Sequence, residues 1–259
     1  MRFFNELKKY RNFLVYSTKG MLKSEVSTSY LNTLWWVLDP LFYMLAYSFV
    51  SIMVFRAQQQ YYQIYIIIGV VIWNYYNKVL QGSVKLVSSN QAIISKVYVP
   101  KYIFLIRLIL VNLFKLVISY ALIFIMLMIW KAQVTPWLLM IIPLTMALVF
   151  LTFGAGMVLM HIGVYVSDVS NILTVVLRFQ FYLSGIFYNM EKSLPNSFVK
   201  MVRIINPVYD LIEAFRKNVL YGSGSGYIEI LYWMLVALAV SIFGVLAMYK
   251  KEGEYAKVN

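Results

Sequence analysis

Cysteine is absent from the 259 residues, and histidine occurs once. Without cysteine the chain has no disulfide, no thiol nucleophile and no cysteine metal site. The lone histidine, His161, has no carboxylate–histidine cluster around it. A single histidine near the end of an apolar run is more often an interface residue than a ligand. No GxxxxGK[ST] phosphate loop occurs, which excludes nucleotide hydrolysis by a Walker mechanism on this chain. GxSxG and HExxH are missing too. Carboxylates are scarce, 10 against 23 lysines and arginines, and the apolar runs hold isolated charges rather than the paired polar groups an intramembrane enzyme needs. The first 33 residues are polar and basic, with no early apolar core or cleavage site. No signal peptide is therefore expected, and the spans themselves act as insertion signals.

What is present is apolar. Hydrophobic residues make up 62% of the chain, charged residues 13%, and mean hydropathy is +0.73. A soluble domain of this length needs far more polar surface. Several runs reach the roughly 20 apolar residues that span a bilayer. The chain reads as an integral membrane protein of one domain. Its net charge of +13 sits mainly beside the runs, where it meets anionic lipid headgroups rather than nucleic acid.

Residues 2 to 23 repeat Phe3, Leu7, Tyr10, Leu14, Thr18 and Met21 or Leu22 at helical spacing, with Lys8, Lys9, Arg11 and Lys19 largely elsewhere on the wheel. This predicts an amphipathic helix lying in the headgroup layer. Six spans follow, at about 34–55, 62–82, 102–130, 137–163, 172–190 and 228–249. The third is longer than a bilayer needs, so its inner third protrudes or tilts, Arg107 leaves the hydrocarbon and Lys115 snorkels. Six spans put both termini on one side. With the N-terminus inside, inner segments hold twelve lysines and arginines and outer segments seven, a modest bias toward cytoplasmic termini.

Two connections carry pattern. Residues 83–101 form an inner loop with a short helical stretch that Ser89 or Asn90 caps and Pro100 interrupts. Residues 191–226 form the one long outer segment. There Phe198, Val202 and Ile205 share a face, then Asn206 caps, Pro207 starts and Gly222 stops a second helix striped by Val208, Leu211 or Ile212, Phe215 and Val219. The expected fold is all-α: six transmembrane helices, an N-terminal interface helix (1–30), a transmembrane domain (31–252), a cytoplasmic tail (253–259) and a re-entrant helical hairpin between helices 5 and 6. GSGSG at 222–226 reads as a flexible hinge into the last span.

Four stretches in this order resemble the permease subunit of type-2 ABC exporters, in particular those exporting lipid-linked polysaccharide, O-antigen or teichoic acid. "SYLNTLWWVLDPL" at 29–41 resembles the family's LG-x-LW-x-x-x-x-P approach to the first span, with Asn32-Thr33 in place of Leu-Gly. "IIIGVVIWNYYNKVLQGS" resembles its second span. "VSDVSNILTVVLRFQFYLSGIFY" at 166–188 resembles the stretch ending FxxSPVxY, with Ser167 where arginine is common and Gly185 where proline is common. "INPVYDLIEAFRKNVLYG" at 205–222 resembles the NP…R outer hairpin, through Asn206, Pro207 and Arg216. The likeness covers nearly the whole chain. It implies a non-enzymatic half-transporter in a bacterial cytoplasmic membrane. The implied partners are a second copy of the chain, two copies of a separate ATP-binding subunit carrying ATP and Mg, membrane lipids and a lipid-linked glycan. It implies no nucleic acid, no metal and no cofactor on this chain. The loop at 85–100, with Ser89, Asn90, Gln91, Ser95 and Lys96, would be the coupling helix that seats in the ATPase.

Aromatics make up 17% of the chain. Trp35, Trp36, Tyr43, Tyr47, Trp73 and Tyr182 are the candidate substrate pathway, because aromatic faces stack on pyranose rings and hydroxyls exchange hydrogen bonds with sugars. The competing reading of each is an interfacial belt or helix packing. Asp39 would cost roughly 2.5–3.5 kcal/mol at mid-bilayer. It lies near the inner end of its span, as Arg178 does in the fifth. The two are expected to share a depth. The resemblance implies that the first and fifth spans frame a lateral entry for the lipid carrier, so Asp39 and Arg178 are expected to face this gate and to pair within or across subunits, holding it shut or receiving the carrier pyrophosphate on Arg178; the competing reading is that each reaches interfacial water. Arg203, Arg216 and the hairpin lysines are expected at phosphates of lipid or polymer, or at headgroup depth. Two alternatives stand beside the polysaccharide reading: a type-2 ABC exporter of a drug or small lipid, and a membrane-bound lipid or sugar transferase.

Overall fold

A computed structural model describes residues 2–27, 30–53, 60–166 and 168–251. Ser29, Ser167 and the tail after Lys251 lie outside the described residues. All regular structure among the described residues is helical. Two helices, α1 (Arg2–Lys9) and α2 (Arg11–Val26), form the N-terminal arm. They meet at Tyr10 rather than running as the single expected helix, because Tyr10 leaves helical geometry at ψ 10°. Its hydroxyl donates to the Tyr98 carbonyl at 2.8 Å. Phe3, Leu7, Tyr10 and Leu14 face the core as the spacing requires.

The long helices are α3 (Trp35–Met53) and α4 (Tyr62–Val84), then, past the short α5 (Leu86–Ser89) and α6 (Gln91–Ile94), α7 (Lys101–Ile129) and α8 (Ile141–Tyr165). Next come α9 (Val169–Tyr182), the short hairpin helices α10 (Met190–Ser193), α11 (Asn196–Ile205) and α12 (Pro207–Phe215), and finally α13 (Tyr227–Lys251). Among the described residues, four helical segments are long and apolar enough to cross a membrane: Trp35–Met53, Lys101–Ile129, Pro136–Tyr165 and Tyr227–Tyr249. The bounds expected for the first, third, fourth and last spans fall within a few residues of these.

The other two expected spans differ in kind. The axial helix of the bundle is α4, with Ile64 through Trp73 buried along an uninterrupted run. Enclosure by other helices keeps this stretch from lipid; further along, Asn74 and Asn77 are half-buried and the exposed Gln81 donates to Asn77 Oδ1 at 2.9 Å. Helix α9 has only 14 residues. At 1.5 Å per residue it is about 21 Å long, short of a roughly 30 Å hydrocarbon core. The expected helix to residue 190 stops at Tyr182 because Gly185 turns left-handed at φ 58°. Proline, fixed near −65°, could not make this turn, so glycine at this position is a backbone requirement.

The hairpin packs on the end of the bundle remote from α1. Val208, Leu211, Ile212, Phe215 and Val219 are buried as their stripe predicts. On α11 Val202 points inward as its stripe predicts, but its inward partner is Val199, whereas Phe198 and Ile205 are exposed. GSGSG is a fitted turn rather than an open hinge, with Asn218 donating to the Ser225 carbonyl at 3.0 Å.

Candidate functional site

Helices α3, α4 and α9 enclose a cleft of about 680 Å³. Tyr43 and Tyr47 line it from α3, Trp73 from α4, and Arg178 and Tyr182 from α9. Their rings form one connected surface. Tyr43 stacks on Tyr47 at 6.1 Å, Tyr47 meets Phe181 at 5.7 Å, and Phe181 meets Trp73 at 5.5 Å and Tyr182 at 5.4 Å. Tyr43 and Tyr182 are exposed at 49% and 60%, whereas Trp73 is buried at 5%. Tryptophan therefore forms the floor and the tyrosines the rim. Asn74, Asn77 and Gln81 add amides to the wall. Sequence reasoning passed over them, although their spacing of three and four residues places them on one helical face.

Trp35 and Trp36 do not join this cleft. With Asp39, Pro40, Lys78 and Lys115 they line a second hollow of about 80 Å³ between α3, α4 and α7. Lys115 forms an ion pair with Glu25 of α2 and lies 6.0 Å from the Trp36 ring. Asp39 and Arg178 thus sit in separate hollows, and the expected pairing within one chain is not made.

The loop from 85 to 100 divides its residues between two tasks. Ser89, Gln91, Ser95 and Lys96 are exposed, beside Ile93 and Val97. Asn90 is buried: its amide donates to the Leu86 carbonyl at 2.7 Å and its oxygen accepts from Arg107 at 2.7 Å. Asn90 therefore holds the loop to α7. It is not presented for docking, which corrects its expected place among the coupling contacts. Arg107, expected to lie outside the hydrocarbon, is buried within the protein at this junction. On the arm beside it, Glu6 accepts from Tyr102, from Tyr249 at 3.1 Å and from Arg2 at 2.7 Å. Burial pushes the Glu6 carboxyl up, but these three donors outweigh it and hold the group below the usual carboxylate range.

At the opposite end Asn206 caps α12, accepting from the Val208 amide at 3.2 Å. It also donates to the Leu183 carbonyl and to Ser184 Oγ, both at 3.0 Å, and so fastens the hairpin to the end of α9. Pro207 follows at the first helical position, where its missing N–H is not needed. Arg203 joins three elements through Glu191, Glu229 at 3.5 Å and Asp210 at 3.9 Å. Asp210 also accepts from Trp233 Nε1 at 2.9 Å. Burial raises the Asp210 carboxyl to about 6, against the pull of Trp233 and Arg203.

Arg216 is fully buried and so does not reach surface phosphates, one of its two expected placements. It donates to the carbonyls of Tyr65, Gly185 and Ile186 at 3.2, 2.9 and 2.8 Å, and to Glu213 at 2.7 Å. Its guanidinium carbon lies 3.4 Å from the Tyr65 ring centre. The approach needs Gly69, where an added Cβ would come within 2.8 Å of the guanidinium. Glu213 stands three residues before Arg216, one helical turn away. The carbonyl cage is instead assembled from residues far apart in the chain.

The family model for ABC-2 type transporters matches residues 13–220, and the chain belongs to this family. Three curated relatives are similar along most of their length, each called "O-antigen export system permease protein RfbA". One, from Myxococcus xanthus, is 23% identical over 83% of this chain and 83% of its own. Two from Klebsiella pneumoniae are 24% and 22% identical, covering 91% and 95% of this chain and 92% and 95% of theirs.

Proposed function

We propose that the chain is the membrane-spanning permease of an ATP-driven exporter that moves a lipid-linked polysaccharide across the bacterial cytoplasmic membrane. The aromatic cleft between α3, α4 and α9 carries this reading. Stacked rings offer a sugar apolar faces, and the rim tyrosines and amides on α4 exchange hydrogen bonds with hydroxyls. Such a surface grips many sugars weakly, as a sliding polymer requires. The names of the relatives support a polysaccharide cargo over a drug or small lipid.

The reading includes features beyond the single chain. Two copies face each other across the exposed sides of α3 and α9, and Asp39 of one copy meets Arg178 of the other at the lateral gate. Helices α4 and α9, the latter completed by the turn after Tyr182, bring the crossings to six and leave both termini cytoplasmic. A separate subunit binds ATP and Mg and docks on Gln91, Ile93, Ser95 and Lys96.

The test is reconstitution with the candidate ATPase in lipid vesicles. Lipid-linked glycans should raise ATP turnover and small amphiphiles should not. Stimulation by drugs or short lipids alone would favour the small-molecule exporter. Bond cleavage or glycan transfer by the isolated chain would overturn the transporter reading.

A further inference from the structure

An apolar furrow follows α8, first between it and α7 and then between it, α13 and α1 of the N-terminal arm. Three hollows of about 470, 230 and 700 Å³ make it up. The first two share Leu113, Val149 and Phe150, and the last two share Phe3, Phe150 and Phe153. Polar side chains along it bond within the wall. Tyr120 and Thr145 hydroxyls meet at 2.9 Å, and Ser241 Oγ donates to the Ala237 carbonyl at 2.7 Å. The floor therefore recognises hydrocarbon. From Ile142 to Phe153 the wall is about 16 Å long at 1.5 Å per residue. One leaflet of a roughly 30 Å hydrocarbon core is about 15 Å deep.

Charge enters at one end only. Arg2 is the charged residue on the lining of the last hollow, with 55% of its side chain exposed. Exposed Lys8 and Lys9 follow on the same helix. A hydrocarbon groove one leaflet deep matches a phospholipid in length; at its end Arg2 is paired with Glu6, and with Lys8 and Lys9 the rim keeps a net positive charge that favours a negative headgroup. We infer that the furrow is a binding site for one anionic phospholipid from the leaflet in which α1 lies, an acyl chain against Val149 and Phe153 and the headgroup against Arg2. The tail would pack under Phe3, whose ring lies 5.0 Å from Tyr102 and 6.5 Å from Phe153. The site thus sits beneath the arm that Glu6 fastens to Tyr102 and Tyr249. The inference does not depend on the cargo.

The test uses the full chain in mild detergent, stripped of lipid and then given phosphatidylglycerol or phosphatidylcholine. Native mass spectrometry counts what is retained. One phosphatidylglycerol per chain is expected, favoured about fivefold over phosphatidylcholine, the worth of one cation at a membrane surface. Val149→Trp, which fills the shared wall, should lose it. Arg2→Gln should hold both lipids equally, and Leu235→Trp on the exposed face of α13 should behave as the unaltered protein. Equal retention of the two lipids by the unaltered protein would overturn the site. So would undiminished retention by Val149→Trp, or equal loss from Leu235→Trp, since each describes annular lipid only.

Discussion

Arg216 shows how much one residue can organise. Its side chain links the start of α4, the turn after α9 and the hairpin through three carbonyls and a carboxylate. Removing it takes a donor from each of those carbonyls and leaves the Glu213 carboxylate without its cation in the interior. Arg216→Ala should destabilise the chain by about 3–5 kcal/mol, the usual cost of breaking a buried pair. Arg216→Lys should rescue little, because an ammonium cannot reproduce the planar fork. Thermal unfolding in detergent reads both, and an unchanged midpoint for Arg216→Ala would refute the staple.

Asp210 makes a second prediction at this scale. Its carboxyl titrates near 6 in the fold and lower in the unfolded chain. Between those values the folded state holds a proton that the unfolded state has released. Stability should therefore fall as pH rises through about 4 to 6 and level off above. Asp210→Asn should flatten that slope, as measured by unfolding midpoints across the window.

Among the elements, helices with one dominant face or unbroken apolar length were legible in the sequence. The arm, the four long apolar helices and the α12 stripe follow from spacing alone. The misread features have specific causes. Gly185 ends α9 through a left-handed turn that hydropathy does not register. On α11 the inward face pairs Val202 with Val199 instead of Phe198 and Ile205, and apolar neighbours on both sides hide the difference in the sequence. Asn90 looked like a docking residue because its bond to Arg107 joins residues 17 apart.

The coupling segment can be tested in two parts. Replacing 90–95 by a Gly-Ser linker should abolish permease-stimulated ATP turnover. Arg107→Ala should loosen the loop while keeping its exposed face, lowering coupling severalfold without blocking co-purification with the ATPase. If both variants couple normally, this segment does not seat in the motor.

At the scale of the whole molecule, the proposed exporter uses this chain as half of a conduit. The aromatic composition pointed to the cleft, and the structure gathers Tyr43, Tyr47, Trp73 and Tyr182 around it. Trp35 and Trp36 had the same composition and went elsewhere, because their turn of α3 faces α7 instead of α9. Composition can nominate rings, but only packing sorts them. Tyr47→Ala with Tyr182→Ala should reduce glycan export by an order of magnitude or more, with assembly of the complex unchanged.

The most direct measurement is photocrosslinking during turnover. A photoreactive residue at Tyr47, in a complex of permease and ATPase supplied with lipid-linked glycan and ATP, should capture the glycan. The same group at Val117, on the lipid-facing furrow, should not. Glycan captured at Val117 and absent from Tyr47 would contradict the pathway assigned to the cleft.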